Sequence, residues 1–189
     1  MTLTDEKTMN DGPASGAITY QRPDILHGAA MWELVNESGV LDLNSAYLYL
    51  ILCAHFSGTC GIAECDNKVV GFVTAYLLPD DPSRLFVWQI GTDASMRGRG
   101  IATNLLLELL NRESLADTRY IEATISPSNV ASETLFTHLA KRLGVDAVFS
   151  EYINSDMFPR PGHEDERLLR IGPFENGVSA ALKNYSHDG

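Results

Sequence analysis

A chain of 189 residues has the length of one ordinary domain, and its 44% apolar content is enough for a packed core, which excludes a wholly disordered polypeptide. No apolar run approaches the ~18 residues of a membrane span; residues 69–78 come nearest. Fourteen basic against 25 acidic residues leave a net charge of −11, which argues against nucleic acid or an anionic membrane as partner and leaves room for a cationic small molecule.

Residues 1–17 mix charge, Gly, Pro and Ser without periodicity and read as a flexible arm. They lack a basic start followed by an apolar stretch, so no secretory signal is read and a cytoplasmic location is expected. A short strand is expected at 18–22. Trp32, Leu34 and Val35 share the apolar side of a helix predicted over 25–37, stopped by Gly39. Periodicity breaks over 40–43, after which Asn44 or Ser45 can cap a second helix running to about Phe56. Cys53, Cys60 and Cys65 form no C-x-x-C pair and are odd in number. They are expected as free thiols packed in the core of a cytosolic protein, not as metal ligands or nucleophiles.

The β-branched runs 59–64 and 69–78 flank Asp66–Asn67 and predict a hairpin. A loop over 79–83 leads to a strand at 85–92. After a turn-rich stretch, Ile101, Leu105 and Leu109, with Leu106 and Leu110 beside them, line one side of a helix. Ile121, Ala123 and Ile125 alternate along a strand over 120–126. Pro127 stops it, Ser128 can cap, and a helix over 129–143 closes at Gly144. Strands follow at 145–152 and 168–171, with an irregular loop, 154–165, between them. Hairpins early and strand–helix–strand–helix–strand late predict one domain over 18–174, of α/β (α+β) class. It is a mixed sheet with helices on both faces, followed by a flexible tail over 175–189.

Chemistry concentrates where the strand ending at Thr92 turns through Arg97-Gly-Arg-Gly100 into the helix at Ile101. Glycines let successive backbone N–H groups converge, and the first helical turn adds its own unpaired donors. Such a nest binds a pyrophosphate, and Arg97 and Arg99 invert the local charge of an acidic chain. A Rossmann G-x-G-x-x-G and a Walker G-x-x-x-x-G-K-[ST] are both absent. The bland alternative is a Gly-rich surface turn with incidental arginines.

Arg97-Gly-Arg-Gly-Ile-Ala102 is similar to the Q/R-x-x-G-x-G/A loop of the GNAT N-acetyltransferase superfamily. The resemblance implies a mostly antiparallel, twisted sheet with splayed central strands. It also implies that Arg97, Gly98, Arg99, Gly100, Ile101 and Ala102 hold the pyrophosphate of acetyl-CoA. Ile90, Gly91 and Thr92 would hydrogen-bond the pantetheine arm, with Ile90 at the thioester carbonyl, and Asn129 and Ser132 would flank the coenzyme A arm. More narrowly, the chain resembles the L-2,4-diaminobutyrate acetyltransferase family of ectoine biosynthesis. The segments that carry this are Val40-Leu-Asp-Leu-Asn-Ser-Ala-Tyr47, Leu85-Phe-Val-Trp-Gln89, Tyr120-Ile-Glu-Ala-Thr124, Pro127-Ser-Asn129, and Gly162-His163 with Arg170-Ile-Gly-Pro173. It spans 20–174 and implies acetylation of the 4-amino group of diaminobutyrate by a homodimer.

Such a transfer needs a deprotonated amine, donors at the thioester oxygen and, for the thiolate, a proton. Phe136 stands where superfamily members often carry a proton-donating tyrosine, so Tyr47, His163 or water is expected to serve. No cysteine has a base partner at readable spacing, so direct transfer in a ternary complex is expected. Asp42 and Glu166 are the carboxylates expected to hold the substrate ammonium, with Asn44 and Tyr47 beside Asp42, His163 near Glu166, and Trp88 as a wall. His163 and Glu166 are helically spaced and can share a face. Asp42 can instead be a helix cap, Trp88 a core residue, and 163–166 a solvated acidic run. No metal is expected, since that run holds one histidine and no H-E-x-x-H. Acetylation of another small diamine or polyamine, or a non-catalytic coenzyme A-binding module, are the competing functions.

Overall fold

A computed structural model describes residues 16–39 and 41–185. The arm expected over 1–17 therefore falls almost wholly outside the described residues, as does Val40. Strand β1 (Ile18–Gln21) leads into helix α1 (His27–Ser38) and helix α2 (Ala46–His55). Gly39 ends α1 at φ 63°, a left-handed conformation that a residue without Cβ adopts at no steric cost. Strands β2 (Gly61–Cys65) and β3 (Lys68–Leu78) are joined by Asp66 and Asn67 at φ 51° and 62°. Two positive φ values in a two-residue loop match the twist of the flanking strands. The loop expected over 79–83 is shorter: Leu78 already pairs with Asp81, so β4 runs Asp81–Thr92.

Helix α3 (Ile101–Leu110), β5 (Tyr120–Ile125), α4 (Val130–Arg142), β6 (Ala147–Ile153), β7 (Glu166–Ile171) and α5 (Val178–Tyr185) complete the chain. Asn129, not Ser128, caps α4, its side chain accepting the Ser132 amide at 3.1 Å. The flexible tail expected over 175–189 is corrected through Tyr185. Val178 and Leu182, one turn apart in α5, are 0% and 7% exposed in the core. The Val178 amide also bonds Thr118 O at 2.9 Å. An apolar pair at that spacing, with Ala181 packed beside it, is enough to seat a short helix.

The seven strands lie in the order β1-β2-β3-β4-β5-β7-β6, and every neighbouring pair is antiparallel except β4–β5. Alternation along β2 and β3 sends Ile62 and Phe72 into one apolar cluster with α1 and α2. Ala63 and Val73 point into the larger cluster with α3, α4 and α5. Helices on both faces of a mixed sheet are thus what forms.

The parallel pair is short. Arg84, Leu85 and Phe86 meet Tyr120, Ile121 and Glu122, and beyond that β4 and β5 part. At the last paired position the Glu122 carboxylate, 1% exposed, takes Arg84 Nη2 at 2.7 Å and Arg170 Nε at 2.6 Å. One buried charge so ties β4, β5 and β7 together where the sheet begins to open. On the far side, Gly71 of β3 lets α3 close onto the sheet, because a Cβ there would stand 2.8 Å from Ile101 Cγ2 and 3.3 Å from Gly91 O. Gly71→Ala should therefore cost about 1–3 kcal/mol of stability by overpacking. Urea unfolding followed by circular dichroism checks this, with a lower midpoint expected.

Candidate active site

The gap between β4 and β5 is bordered by unpaired backbone. Asp93 donates its N–H to Val70 O at 2.9 Å. Antiparallel alternation then turns the polar groups of Gly91 toward β3 and those of Ile90 and Thr92 away from it, into the gap. Opposite Thr74 and Ala75 the register shifts, and β3 pairs with Val87 and Gln89 but skips Trp88. Trp88 is 47% exposed at this bulge, so it is not a core residue.

Beyond Thr92 a turn at Ala94–Met96 is closed by Asp93, whose side chain accepts the Ser95 amide at 2.7 Å and hydroxyl at 2.6 Å. Gly98 and Gly100 follow at φ 77° and 74°, and Asn104 N bonds Gly100 O at 2.9 Å, so α3 starts at once. The Ile101 and Ala102 amides have no intrahelical acceptor and open onto the loop. Arg97 and Arg99 are exposed beside them. The loop is thus a concave set of amide donors at a helix N-terminus with two guanidinium groups at its rim, suited to a diphosphate.

Asp42 lies between α1 and α2, with its backbone oxygen held by Gln89 Nε2 at 2.9 Å. It is not the cap of α2, a position occupied by Ser45 without a side-chain bond. Asn44 does not face outward as a free binding group: its carbonyl takes Trp32 Nε1 at 3.0 Å and its side-chain amide lies 3.4 Å from Asp42 O. Glu166 opens β7 beside Thr124 of β5. Burial holds its carboxyl above the usual carboxylate range. A Thr124 hydrogen bond works against the rise, and the charges of Asp42 and Glu164 add to it. Gln89 and Thr124 stand just past the point where their strands part. Asp42 and Glu166, far apart in sequence, are therefore brought to one gap, close enough for the charge of Asp42 to act on Glu166.

The shared helical face expected for His163 and Glu166 does not form, because Glu166 begins a strand and His163 lies in the preceding loop. His163 stacks on Phe158 with ring centroids 4.3 Å apart. Residues 163–165 are exposed, as a solvated run would be, yet two of the carboxylates are engaged. Glu164 takes the Ser128 amide at 3.0 Å and Asp165 the Ser155 amide at 2.6 Å, and these bonds hold both carboxyls below their usual range. Tyr47 is 70% exposed on the first turn of α2, and Phe136 is 2% exposed in the core. Ser132 gives its amide to Asn129. Burial pushes the Cys53 and Cys60 thiols up to about 12 and about 11, which makes both poor nucleophiles.

Sequence reading missed Tyr49, Gln89, Thr124 and Glu164. The only signal for the first three was a single polar atom set in an apolar strand or helix, which looks the same wherever it points.

The model of the acetyltransferase (GNAT) family matches residues 29–144. The L-2,4-diaminobutyric acid acetyltransferase of Virgibacillus pantothenticus is 49% identical over 147 residues, covering 78% of this chain and 92% of that protein. The protein of the same name from Marinococcus halophilus is 46% identical over 158 residues, covering 84% and 91%. Among solved structures, diaminobutyrate acetyltransferase EctA from Paenibacillus lautus, in complex with its substrate L-2,4-diaminobutyric acid and coenzyme A, superposes with a TM-score of 0.83. It is 41% identical, and the match covers 85% of this chain and 98% of that one.

The hydrogen bond from Thr124 opposes the rise in the Glu166 carboxyl. Thr124→Val should therefore move the Glu166 titration to still higher pH, and Asp42→Asn, which removes a neighbouring negative charge, should move it down. A carbon-13 carboxyl NMR titration of both variants reads the two directions.

Proposed function

The chain belongs to the acetyltransferase (GNAT) family, and we propose that it transfers the acetyl group of acetyl-CoA to the 4-amino group of L-2,4-diaminobutyrate in ectoine biosynthesis, releasing coenzyme A and N4-acetyl-L-2,4-diaminobutyrate. The observation that carries this reading is one juxtaposition: two carboxylates at the mouth of a gap whose walls are free strand amides and whose far end is an arginine-rimmed helix N-terminus. The likeness to the Paenibacillus lautus protein, which binds this diamine and coenzyme A, supports it.

The pyrophosphate sits on the amides of Gly98, Gly100, Ile101 and Ala102, with Arg97 and Arg99 neutralising its charge. Asn129 and Ser132 at the start of α4 flank the coenzyme A arm. Ile90, Gly91 and Thr92 take the pantetheine as an added edge, and the Ile90 amide points at the thioester oxygen, where negative charge develops during attack. Asp42 and Glu166 hold the substrate's ammonium against the Trp88 ring, with Asn44 shaping the Asp42 side. The free amine attacks the thioester carbon, forming the C–N bond. The tetrahedral species loses one nitrogen proton to water and collapses, the C–S bond breaks, and coenzyme A leaves as thiolate. Its proton comes from Tyr47, His163 or water, because Phe136 is buried and has none to give. No acyl-enzyme is needed, and the raised cysteine thiols support direct transfer.

The reading includes a homodimer in the cytoplasm. Val148 and Tyr152 on the edge strand β6, with Met157 after it, are 59%, 55% and 63% exposed, an apolar set that a second copy would cover. Light scattering of the purified protein at twice the monomer mass is the expected result. No helix among the described residues is long and apolar enough to cross a membrane.

A thiol-release assay with diaminobutyrate, ornithine, lysine and spermidine tests the substrate. Diaminobutyrate should lead in kcat/KM. Equal use of all four would favour a general diamine acetyltransferase, and tight acetyl-CoA binding without turnover a non-catalytic module. Arg97→Ala and Arg99→Ala should each raise KM for acetyl-CoA at least about tenfold, as charged hydrogen bonds worth about 1.5–3 kcal/mol require. Asp42→Asn should weaken diaminobutyrate binding and leave acetyl-CoA binding as it was, read by calorimetric titration.

A further inference from the structure

Gln89 joins the two halves of the site. Its backbone belongs to β4, one residue after the Trp88 bulge and one before Ile90, whose amide borders the gap. Its side chain reaches the other way, giving Nε2 to Asp42 O at 2.9 Å while Oε1 accepts the Tyr49 hydroxyl at 2.8 Å. The polarity of this relay has one solution. A carbonyl oxygen can only accept, so the amide NH2 faces Asp42, the amide oxygen faces Tyr49, and the phenol must donate. Tyr49 is itself a fixed base for the relay. It is 1% exposed, packs edge-on against Phe72 at 6.3 Å, and belongs to the apolar cluster of α1 and α2. Asp42, by contrast, lies on a stretch that is neither helix nor strand, with Leu43 beside it 50% exposed. Left to local propensity, such a stretch has many conformations.

We propose that Gln89, backed by Tyr49, is a positioning residue that sets the Asp42 carboxylate at a fixed distance from Ile90 and thereby selects the length of the diamine. The inference rests on the proposed role of Asp42 in holding the substrate ammonium. Because the ammonium holder and the thioester-facing amide are then referred to one strand, only a chain of matching length carries its second nitrogen to the acyl carbon. Loosening the relay lets Asp42 follow longer or shorter diamines. A neutral amide suits the position, since a carboxylate there would add a third negative charge beside Asp42 and Glu166 and could not donate to a carbonyl.

The test uses Gln89→Leu, which keeps most of the volume without the bonds, and Tyr49→Phe, which keeps the ring and removes only the hydroxyl. Steady-state kinetics are measured with 2,3-diaminopropionate, diaminobutyrate and ornithine, and circular dichroism confirms folding. Gln89→Leu should raise KM for diaminobutyrate about tenfold, leave KM for acetyl-CoA within about twofold, and shrink the diaminobutyrate-to-ornithine ratio of kcat/KM. Tyr49→Phe should move the same quantities in the same direction by about threefold. In an Asp42→Asn background the Gln89→Leu change should add less than about twofold, because the relay then has no carboxylate to aim. An unchanged ratio, full additivity with Asp42→Asn, or an equal loss toward acetyl-CoA and every diamine would overturn the positioning role while leaving the acetyltransferase reading in place. A wild-type protein that does not prefer diaminobutyrate would overturn that reading itself, and this inference with it.

Discussion

Two parallel strands cannot part inside a sheet without leaving backbone N–H and C=O groups unpaired, and a protein tolerates such groups only where something else will pair them. Here β4 and β5 share three residue pairs and then separate. Ile90 and Thr92 consequently present peptide groups to open space. A ligand that lies along β4 and offers amides and carbonyls of its own completes the ladder. The site is therefore an interrupted sheet, and the activity follows from what fills the interruption.

Opening a sheet needs a stop, so that the separation does not run further. Glu122 supplies it, because a carboxylate buried to 1% exposure needs charged partners, and Arg84 and Arg170 provide them from the strands on either side. The three side chains sit on three neighbouring strands, Glu122 and Arg170 at the last paired row and Arg84 two residues before it. On the other side of the opening, the acidic bias of the chain is put to use and then reversed over a short distance. Asp42 and Glu166 face the mouth, while the Arg97–Gly100 loop gathers positive charge where a diphosphate would lie. A cationic amine and a polyanion can thus approach one cleft from opposite directions without competing for the same field. The loop that leads into Glu166 is in turn held by Glu164 on the Ser128 amide, next to the Asn129 cap of α4. The substrate side and the cofactor side share that short segment as they share β4.

Signals confined to a few neighbouring residues were legible in advance. Asp66–Asn67 announced a hairpin because both residues tolerate positive φ, Gly39 a helix end, and Gly98 and Gly100 a turn straight into a helix, and each of these conformations forms where expected. Readings that depended on a distant partner fared differently. Ser128 looked like the cap of α4, yet its amide serves Glu164, from a loop the chain reaches only after another strand. His163 and Glu166 had helical spacing, but pairing of Glu166 with Ile153 in β6 draws it into a strand. The last helix lies in a stretch without a readable period, and Val178 and Leu182 acquire meaning only against a core built from β-strands and α3.

By itself, then, the amino-acid order determined the local conformations, the class of fold, the arginine- and glycine-rich loop that opens α3, and the acidic bias of the chain. Those properties arise from torsional preference, capping and charge within one or two turns of chain, which neighbours in sequence decide. Which carboxylates meet, and what holds them, was left to the folded molecule. The Tyr49–Gln89–Asp42 relay and the meeting of Asp42 with Glu166 depend on strand register, on a bulge that frees Trp88, and on burial. These are set when distant segments compete for one core, and a buried hydrogen bond gains its directional force only after that core has excluded water.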